Sequence, residues 1–275
     1  MTKSNNNSAE HNTENFYKLS IQVSLNGLSF CVIDTLRDTI LIGEQINFGK
    51  ELSPFEVQKE LKELLREYRV PEMEIAEIVV IHRNNLFSLV PKALFDKNEL
   101  ANYLKFNTKI LANDLIEYDE IESHDIMNVY VPYMNINNYV FDLFGEFEFV
   151  HSSTVLLQTL LKSASKATEP VCYVHIGQRQ MDIVVLDRKQ LKFHNSFNFE
   201  TREDFIYYIL FTLEQLELDP ESVPVRLFGY VEEGDELYGI CYEFIRHISI
   251  FVQENDLTAT EEVSESVMDF TLLNA

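Results

Sequence analysis

Positive charge is scarce in this sequence, in which 22 lysines and arginines stand against 45 aspartates and glutamates. The formal net charge is −23 at pH 7. Nucleic acids and anionic membrane surfaces select proteins rich in lysine and arginine, because binding neutralises phosphates and releases their counterions. The composition therefore argues against both kinds of partner, and the acidic surface favours solubility in the cytoplasm.

Long apolar runs are also missing. The longest strongly apolar run covers residues 205–213, whereas a helix needs about 20 apolar residues to cross a bilayer. Residues 1–15 are polar, rich in asparagine and without the apolar core of a signal peptide, which predicts a disordered tail. We therefore expect a cytoplasmic protein with no direct membrane insertion.

The short motifs of metal sites and of nucleophilic catalysis are absent as well. The three cysteines show no Cys-x-x-Cys spacing, and Cys31 and Cys172 fall within apolar runs, which predicts buried, reduced thiols. The seven histidines show neither His-x-x-x-His nor His-Glu-x-x-His spacing, so we expect isolated histidines, exposed or half-buried, and no metal site. There is no Gly-x-Ser-x-Gly elbow, and Ser152 or Ser153 is more simply the N-cap of the helix that follows.

What the sequence does contain is an internal repeat. Residues 28–48 comprise two strand-like apolar runs around a polar turn and end in Asn-Phe, and residues 181–199 have the same pattern. Each copy follows another strand-like run and precedes an amphipathic helix. Because repetition constrains architecture more firmly than local propensity does, both copies predict the same β-β-β-α-β order.

Local patterns place the elements of the first copy. Alternating apolar residues predict a strand at 16–25, and Asn26-Gly27 suits a type I′ hairpin turn into the next strand. A capping-box pattern at residues 53–56 starts a helix. Residues 75–81 predict a buried fourth strand.

The second copy predicts three strands, a capped helix and a fourth strand, at residues 171–176, 180–187, 191–199, 201–216 and 223–228. The predicted fold class is therefore α/β, with two domains built from a duplicated unit. The predicted bounds are 1–15 for the tail, 16–165 for the first domain with an inserted subdomain at about 82–145, 166–253 for the second domain, and 254–275 for an acidic tail. Within that tail, residues 267–273 could dock on the rest of the protein.

This duplicated unit, with an insertion in the first copy and a linking helix before the second, resembles the actin-like ATPase superfamily. The layout is most similar to that of the actin homologues of pilus assembly and type II secretion. Residues 145–151 and the apolar helix after them look like their fifth strand and its helix, and residues 175–185 look like their second phosphate-binding hairpin. The sequence also looks like an uncharacterised Bacteroidetes family defined as a domain of unknown function. The resemblance implies two RNase H-like domains with a nucleotide cleft between them.

Active members of that superfamily hold Mg²⁺ through an aspartate at the end of the first strand of each domain, because Mg²⁺ prefers carboxylates and water. The first hairpin, residues 22–27, contains no carboxylate, and His175 stands at the corresponding position of the second. Asp182 lies near an aspartate that often follows this loop, but one carboxylate is not a catalytic set. At the expected adenosine motif Gly229 is followed by Tyr230, which would crowd a purine. We therefore predict no catalytic residue and no bound cofactor, with ATP and Mg²⁺ as the disfavoured alternative.

The sequence leaves three hypotheses for function. The favoured one is a non-catalytic actin-like scaffold, or pseudo-ATPase, with an unknown protein partner. The second is a nucleotide-binding protein whose phosphate contacts come from backbone amides of the two hairpins. The third, ranked last, is a hydrolase or kinase that uses Asp34 or Asp187, since both lie far from the hairpins. The cleft candidates of the second hypothesis are Asn26, Gly27, Gly177, Gln178, Arg179 and Gly229.

Overall fold

A computed structural model describes residues 16–106, 110–111, 114–122, 124–163, 169–253, 257–260 and 268–275. The tail predicted for residues 1–15 lies outside them. In the first part of the chain the elements are β1 (Tyr17–Val23), β2 (Gly27–Asp34), β3 (Thr39–Asn47), α1 (Pro54–Glu67), β4 (Ile75–His82), β5 (Phe87–Pro91), α2 (Leu100–Leu104), β6 (Glu117–Ile121), β7 (Ile126–Tyr130), α3 (Met134–Phe144), β8 (Glu148–His151) and α4 (Ser152–Ser163). In the second part they are β9 (Val171–Ile176), β10 (Gln180–Asp187), β11 (Gln190–Asn198), α5 (Arg202–Gln215), β12 (Pro224–Gly229), α6 (Glu236–Phe244), β13 (His247–Ile250), β14 (Thr258–Ala259) and α7 (Phe270–Asn274).

Two mixed sheets form the framework. The first has the strand order β14-β3-β2-β1-β4-β8, and the second has the order β11-β10-β9-β12-β13. In each sheet the first three strands form an antiparallel meander, and the fourth strand lies parallel to the first on its other side. The predicted α/β class is confirmed, and the β-β-β-α-β order occurs twice with nearly the predicted bounds.

Each meander is followed by a capped helix of 14 residues. Before α1, the Ser53 hydroxyl accepts a hydrogen bond from the Glu56 amide, and the Glu56 carboxylate accepts one from the Ser53 amide. Thr201 and Asp204 form the same capping box before α5. Both helices bury an apolar face in the core of their own domain.

A third, smaller sheet lies in the insertion between the two repeats. Its order is β5-β7-β6, with both pairs antiparallel. The short helix α2 packs on this sheet through the buried Leu104, which shares a cluster with Met127 and Val129. Strand β8 then returns the chain to the first sheet, and α4 leads towards the second.

The turn between β1 and β2 differs from the type I′ turn that the Asn26-Gly27 dipeptide predicts. That turn requires positive φ at both central residues, and neither Asn26 nor Gly27 has one. The Ser24 hydroxyl closes the turn instead, because it accepts hydrogen bonds from the Asn26 and Gly27 amides at 3.3 and 3.0 Å. Gly27 belongs to β2, where a Cβ would lie 2.6 Å from the Ile46 carbonyl oxygen. This glycine permits close strand approach rather than a left-handed turn.

The cysteines agree with the prediction. Cys31, Cys172 and Cys241 are all buried and free, which confirms the reduced thiols predicted for the first two. Burial raises the pKa of each thiol to about 12. These thiols are therefore small apolar core residues rather than nucleophiles.

The helices in the described part of the chain are short. The longest, α1 and α5, have 14 residues each, compared with the about 20 that a bilayer requires. None of the helices described has both the length and the apolar character needed to cross a membrane.

Candidate functional site at the interdomain cleft

The β1–β2 and β9–β10 turns lie on opposite sides of a cavity of about 60 Å³ between the two sheets. The turns are built alike: the Ser24 amide donates to the Gly27 carbonyl at 3.0 Å, and the Gly177 amide donates to the Gln180 carbonyl at 2.8 Å. The fold thus brings the two predicted hairpins together. Five of the six cleft candidates line the cavity, namely Asn26, Gly27, Gly177, Gln178 and Arg179.

The sixth candidate, Gly229, lies behind the cavity and shapes it indirectly. Its φ is +90°, and a Cβ there would lie 2.3 Å from the Ile176 carbonyl oxygen and 3.1 Å from the His175 ring. The next residue, Tyr230, donates its amide hydrogen to the same Ile176 carbonyl at 2.8 Å and lines the cavity. Gly229 therefore places a bulky phenol at the cleft.

Arg83 occupies the space between the two hairpins. Its amide donates to the Val23 carbonyl at 2.9 Å, which fixes the backbone beside the end of β1. Its guanidinium bonds Asp269 through Nη1 at 2.7 Å and Asp182 through Nη2 at 3.1 Å, and its side chain is only 8% exposed. A Cβ at Gly177 would lie 2.9 Å from Nη2, so this glycine permits the approach of the guanidinium.

His175 joins Arg83 and the two aspartates in one buried cluster. Its Nδ1 lies 3.4 Å from Asp182, and its Nε2 lies 3.6 Å from Asp269. Burial by itself raises the pKa of both carboxyls, but Arg83 and His175 outweigh it and hold both pKa values below their usual range. Burial also disfavours a charged Arg83, yet the two carboxylates raise its pKa. Arg83 and the two aspartates thus form a buried network of opposite charges.

Residues 268–275 provide one side of this cluster. Asp269 caps α7 by accepting a hydrogen bond from the Thr271 amide at 2.9 Å through Oδ1, while its Oδ2 binds Arg83. The Phe270 ring packs edge-to-face on Phe228, with a centroid distance of 4.8 Å. The segment therefore contacts the second domain through the Phe270 ring, and its Asp269 carboxylate binds Arg83 of the first domain.

The next residues of this segment contact the first domain. The Thr271 hydroxyl is hydrogen-bonded to the side chain of Gln22, the residue near the end of β1. Leu272 is 1% exposed and packs in a cluster with Cys31, Ile33, Ile40, Val79 and Ile81. The suggestion that residues 267–273 could dock is confirmed for 268–273, and residue 267 lies outside the described residues. The predicted acidic tail also includes β14, which pairs with β3.

The cleft does not fit a nucleotide with Mg²⁺, the group that the actin-like resemblance implies. Small-molecule pockets have volumes of about 300–1,000 Å³, whereas this cavity has about 60 Å³. Mg²⁺ takes carboxylate oxygens, but Asp182 and Asp269 are both paired with Arg83, whose charge repels a cation. Within the described ranges, no group of three or more His, Cys, Asp or Glu side chains is placed to hold a metal ion.

The expectation of isolated, exposed or half-buried histidines is wrong for His82, His151 and His175, which are at most 1% exposed. Spacing motifs do not detect them, because each lies at or near the end of a strand and the fold brings them inside. His82 Nδ1 accepts from the Tyr133 amide at 3.2 Å, and its Nε2 donates to Asn137 Oδ1 at 2.9 Å. These partners suit a neutral ring, and burial lowers the pKa of His82 to about 4.

Ser153 lies between two further histidines. His151 Nδ1 accepts from the Ser153 amide at 3.1 Å, so the expected serine N-cap is wrong and a histidine caps α4. His194 Nε2 lies 2.9 Å from Ser153 Oγ, and its Nδ1 donates to the Ile183 carbonyl at 3.3 Å. Since Ser153 is only 2% exposed, this serine–histidine pair has no access to a substrate and serves to join the two domains.

The carboxylates of the third hypothesis lie at the opposite ends of their sheets from the cleft. Asp34 pairs with Tyr17 at the start of β1. Its Oδ1 accepts from the Leu36 and Arg37 amides at 3.0 and 3.1 Å, which closes the turn into β3. Asp187 stands at the corresponding end of β10, beside the start of β11. The structure therefore does not bring either aspartate to the hairpins.

Sequence patterns do not single out Arg83 or Asp269, although both build the cleft. The only local signal for Arg83 is a lone cation directly after a buried strand. The local signal for Asp269 is that an aspartate, a preferred N-cap residue, directly precedes a short apolar run, and it does cap α7. Their ion pair joins residues 186 positions apart, so no motif of short spacing contains it.

The fold is similar to that of solved structures. One is a Bacteroides thetaiotaomicron VPI-5482 protein with an actin-like ATPase fold and unknown function, with a TM-score of 0.76 and 22% identity over 86% of this chain and 91% of that chain. Another is the PilM–PilN type IV pilus biogenesis complex, with a TM-score of 0.52 and 12% identity over 85% of this chain and 88% of that chain. The expected actin-like fold is confirmed.

A search among curated proteins gives no match. A family profile described as "Protein of unknown function (DUF3822)" matches residues 5–248. That match covers most of the 275 residues. The chain therefore belongs to the DUF3822 family and has the two-domain actin-like ATPase fold.

Proposed function

We propose that this protein is a non-catalytic, pseudo-ATPase member of the actin-like fold that acts as an interaction module for another protein. One observation supports the proposal most directly. The buried Arg83 guanidinium, paired with Asp182 and Asp269, occupies the space between the two hairpins. A phosphate that approached this guanidinium would compete with two carboxylates that already compensate its charge.

The chemistry at the strand ends also supports a non-catalytic role. Phosphoryl transfer in such folds depends on bound metal and on a residue that positions the nucleophile. Near the end of β1 stands Gln22, whose side chain is bonded to Thr271, and near the end of β9 stands His175, which faces two carboxylates. Neither residue supplies a free carboxylate for Mg²⁺.

A role in protein association is in keeping with another use of this fold. PilM, which has a similar fold, was solved in a complex with PilN. That complex is an instance of a protein with a similar fold bound to a second protein. We infer the same class of role for this chain, without inferring the same partner.

Nucleotide binding provides the first test. The full-length protein is heated with millimolar ATP, ADP or GTP and Mg²⁺, and we expect an unchanged melting temperature. A nucleotide at 100 times its Kd would stabilise the protein by about 2.7 kcal/mol, which corresponds to several degrees for a chain of this size. A shift of that size would contradict the proposal.

Phosphate release provides the second test, with Asp182→Asn as the matched variant. We expect the same background rate from both proteins, because any trace activity comes from a contaminant. A rate that is lost in Asp182→Asn, while the folded fraction is unchanged by circular dichroism, would instead identify an enzyme.

A further inference from the structure

We propose that the interdomain cleft is a peptide-binding groove for a segment of a partner protein with the order acid, aromatic, hydroxyl, aliphatic. Residues 268–275, which we call the cleft segment, occupy this groove as an intramolecular competitor. The inference rests on the proposed function and deepens it, since it assigns the surface and the chemistry of the partner. We derive the chemistry of the partner segment from the cleft segment, whose acidic, aromatic, hydroxyl and aliphatic side chains contact the groove in that order.

The way in which the cleft segment is attached points to a ligand rather than to a framework element. Within the described residues, its hydrogen bonds to the rest of the chain are made by side chains: Asp269 to Arg83, Thr271 to Gln22, and Asn274 to Gln253. It adds no strand to either sheet. Although Leu272 and Phe270 pack in core clusters, the segment lacks, among the residues described, the main-chain hydrogen bonds that hold a sheet strand, and we therefore expect it to open at lower free energy than such a strand does.

The ion pair between Asp269 and Arg83 favours a role in recognising a ligand over a role in closing the cleft alone. A buried ion pair is a poor source of stability compared with apolar packing, because both charges lose their hydration. It is an effective source of specificity, since a ligand without the carboxylate leaves Arg83 with an unpaired donor. In a chain with a net charge of −23, this buried guanidinium is a specific receptor for an acidic side chain.

The two apolar contacts of the cleft segment lie on different domains. Phe270 packs on Phe228 and lies 6.3 Å from the Phe251 ring, both in the second domain. Leu272 packs beneath the first sheet, beside residues such as Cys31 and Ile81. An occupant with this order of side chains bridges both domains, so a partner segment in the groove would hold the domains in one relative arrangement.

Because a partner segment has to compete with the cleft segment for the groove, the tethering of the cleft segment determines how tightly the partner must bind. A tethered ligand has an effective concentration in the millimolar range, and tethering raises apparent affinity by about 10²–10⁴-fold. A free peptide with the same sequence should therefore bind weakly while the cleft segment is in place. Release of the segment should expose the groove.

The test uses a fluorescent peptide with the sequence of residues 268–275 and full-length proteins. The release variant is Asp269→Asn/Phe270→Ser/Leu272→Ser, which removes the three anchors and leaves the pair between Arg83 and Asp182 in place. We expect it to bind the peptide at least about 100-fold more tightly than the wild type does. A peptide with asparagine in place of its aspartate should bind the release variant at least about tenfold more weakly, because it loses the charge-assisted bond to Arg83.

The control variant is Tyr242→Ser/Phe244→Ser, which changes exposed apolar residues of α6 outside the cleft. It should bind the peptide as weakly as the wild type. If circular dichroism shows that the release variant is unfolded, the single variant Leu272→Ser provides the test, with an intermediate gain in affinity.

Three outcomes would overturn the inference. The first is a folded release variant that binds the peptide no better than the wild type does. The second is equal binding of the acidic and the asparagine peptide. The third is a wild-type dimer in light scattering that dissociates when the three anchors are changed, because the groove would then belong to a second copy of this chain. None of these outcomes concerns nucleotides, so failure here is distinct from failure of the proposed function.

Discussion

The two hairpins that face each other across the cleft have similar backbones and different side chains. In the first, Gln22 pairs with Ser29; at the same distance from the turn in the second, His175 pairs with Asp182. The first pair is neutral, whereas the second contains an acid that binds Arg83 of the other domain. The repeated apolar positions maintain two similar sheets, while the polar positions have become complementary across the cleft.

Removal of the cation between the hairpins should have the largest effect. Arg83→Met keeps much of the side-chain volume but leaves Asp182 and Asp269 buried without their partner. Breaking a buried ion pair in this way costs about 3–5 kcal/mol, to be measured as the free energy of unfolding in urea. The matched control is Arg179→Met at the same cavity, because Arg179 is exposed and a surface substitution changes stability by about 0.5 kcal/mol or less. Equal losses would show that the ion pairs do not hold the cleft.

The same comparison extends to the fourth strand of each sheet. His82 pairs with Val23 at the end of β1, and Gly229 pairs with Ile176 at the end of β9. The imidazole ring of His82 fills the first position. At the second, a Cβ on residue 229 would clash with the Ile176 carbonyl oxygen. These two residues give the next two predictions.

Gly229→Ala should destabilise the second domain by about 3 kcal/mol, because it forces a side chain into a left-handed conformation and against the Ile176 carbonyl oxygen. Gly239→Ala is the control. A Cβ at Gly239 meets nothing within 4 Å, and alanine in the middle of α6 should stabilise the protein by up to about 1 kcal/mol. Thermal unfolding measures both, and a neutral Gly229→Ala would show that the backbone at the cleft can relax.

Acidification should destabilise the first domain through His82. Burial lowers the pKa of this ring to about 4 from the usual 6.5, so the folded state requires a neutral imidazole. The associated stability is complete above pH 6.5 and is lost as the pH falls towards 4. At pH 5 the loss is about 2 kcal/mol, at 1.36 kcal/mol per pH unit.

The difference between the wild type and His82→Gln measures this loss. Between pH 7 and pH 5, the wild type should lose about 2 kcal/mol more of its free energy of unfolding than the variant does. Asp119, whose pKa is raised to about 6 by burial, contributes with the opposite sign but is present in both proteins. Parallel pH profiles of the two proteins would contradict a buried neutral histidine.

The fold could be predicted because it depends on apolar periodicity and capping, which are local properties of the sequence. The strands at 171–176 and 180–187, the capping box at residues 53–56 and the cap of the second helix lie where the patterns predict them. The β1–β2 turn was predicted with the wrong conformation, because Ser24, which closes it, lies outside the dipeptide that suggested a type I′ turn.

The site could be predicted only in part, because its decisive contacts are distant in sequence. The hairpin residues were found by their position in the repeat. Arg83 pairs with residues 99 and 186 positions away, and these separations follow from the packing of the two domains and the cleft segment. The sequence shows that these charged residues are present but not which of them pair with one another. The ion pairs that close the cleft could therefore be identified only from the three-dimensional structure.

The smallest predicted effects concern the two capping boxes. If the helices of the two repeats are equivalent, the loss of either capping hydroxyl should reduce the stability by the same amount. Ser53→Ala and Thr201→Ala each remove the hydroxyl that accepts from the third helical amide, and each should cost about 1 kcal/mol. Ser163→Ala, at the last residue of α4, is the control and should change stability by less than about 0.5 kcal/mol. Chemical denaturation of the three variants gives the values. A loss at Thr201 several times that at Ser53 would mean that the second helix depends on its cap and the first does not, because α1 would then be held by its buried apolar face alone.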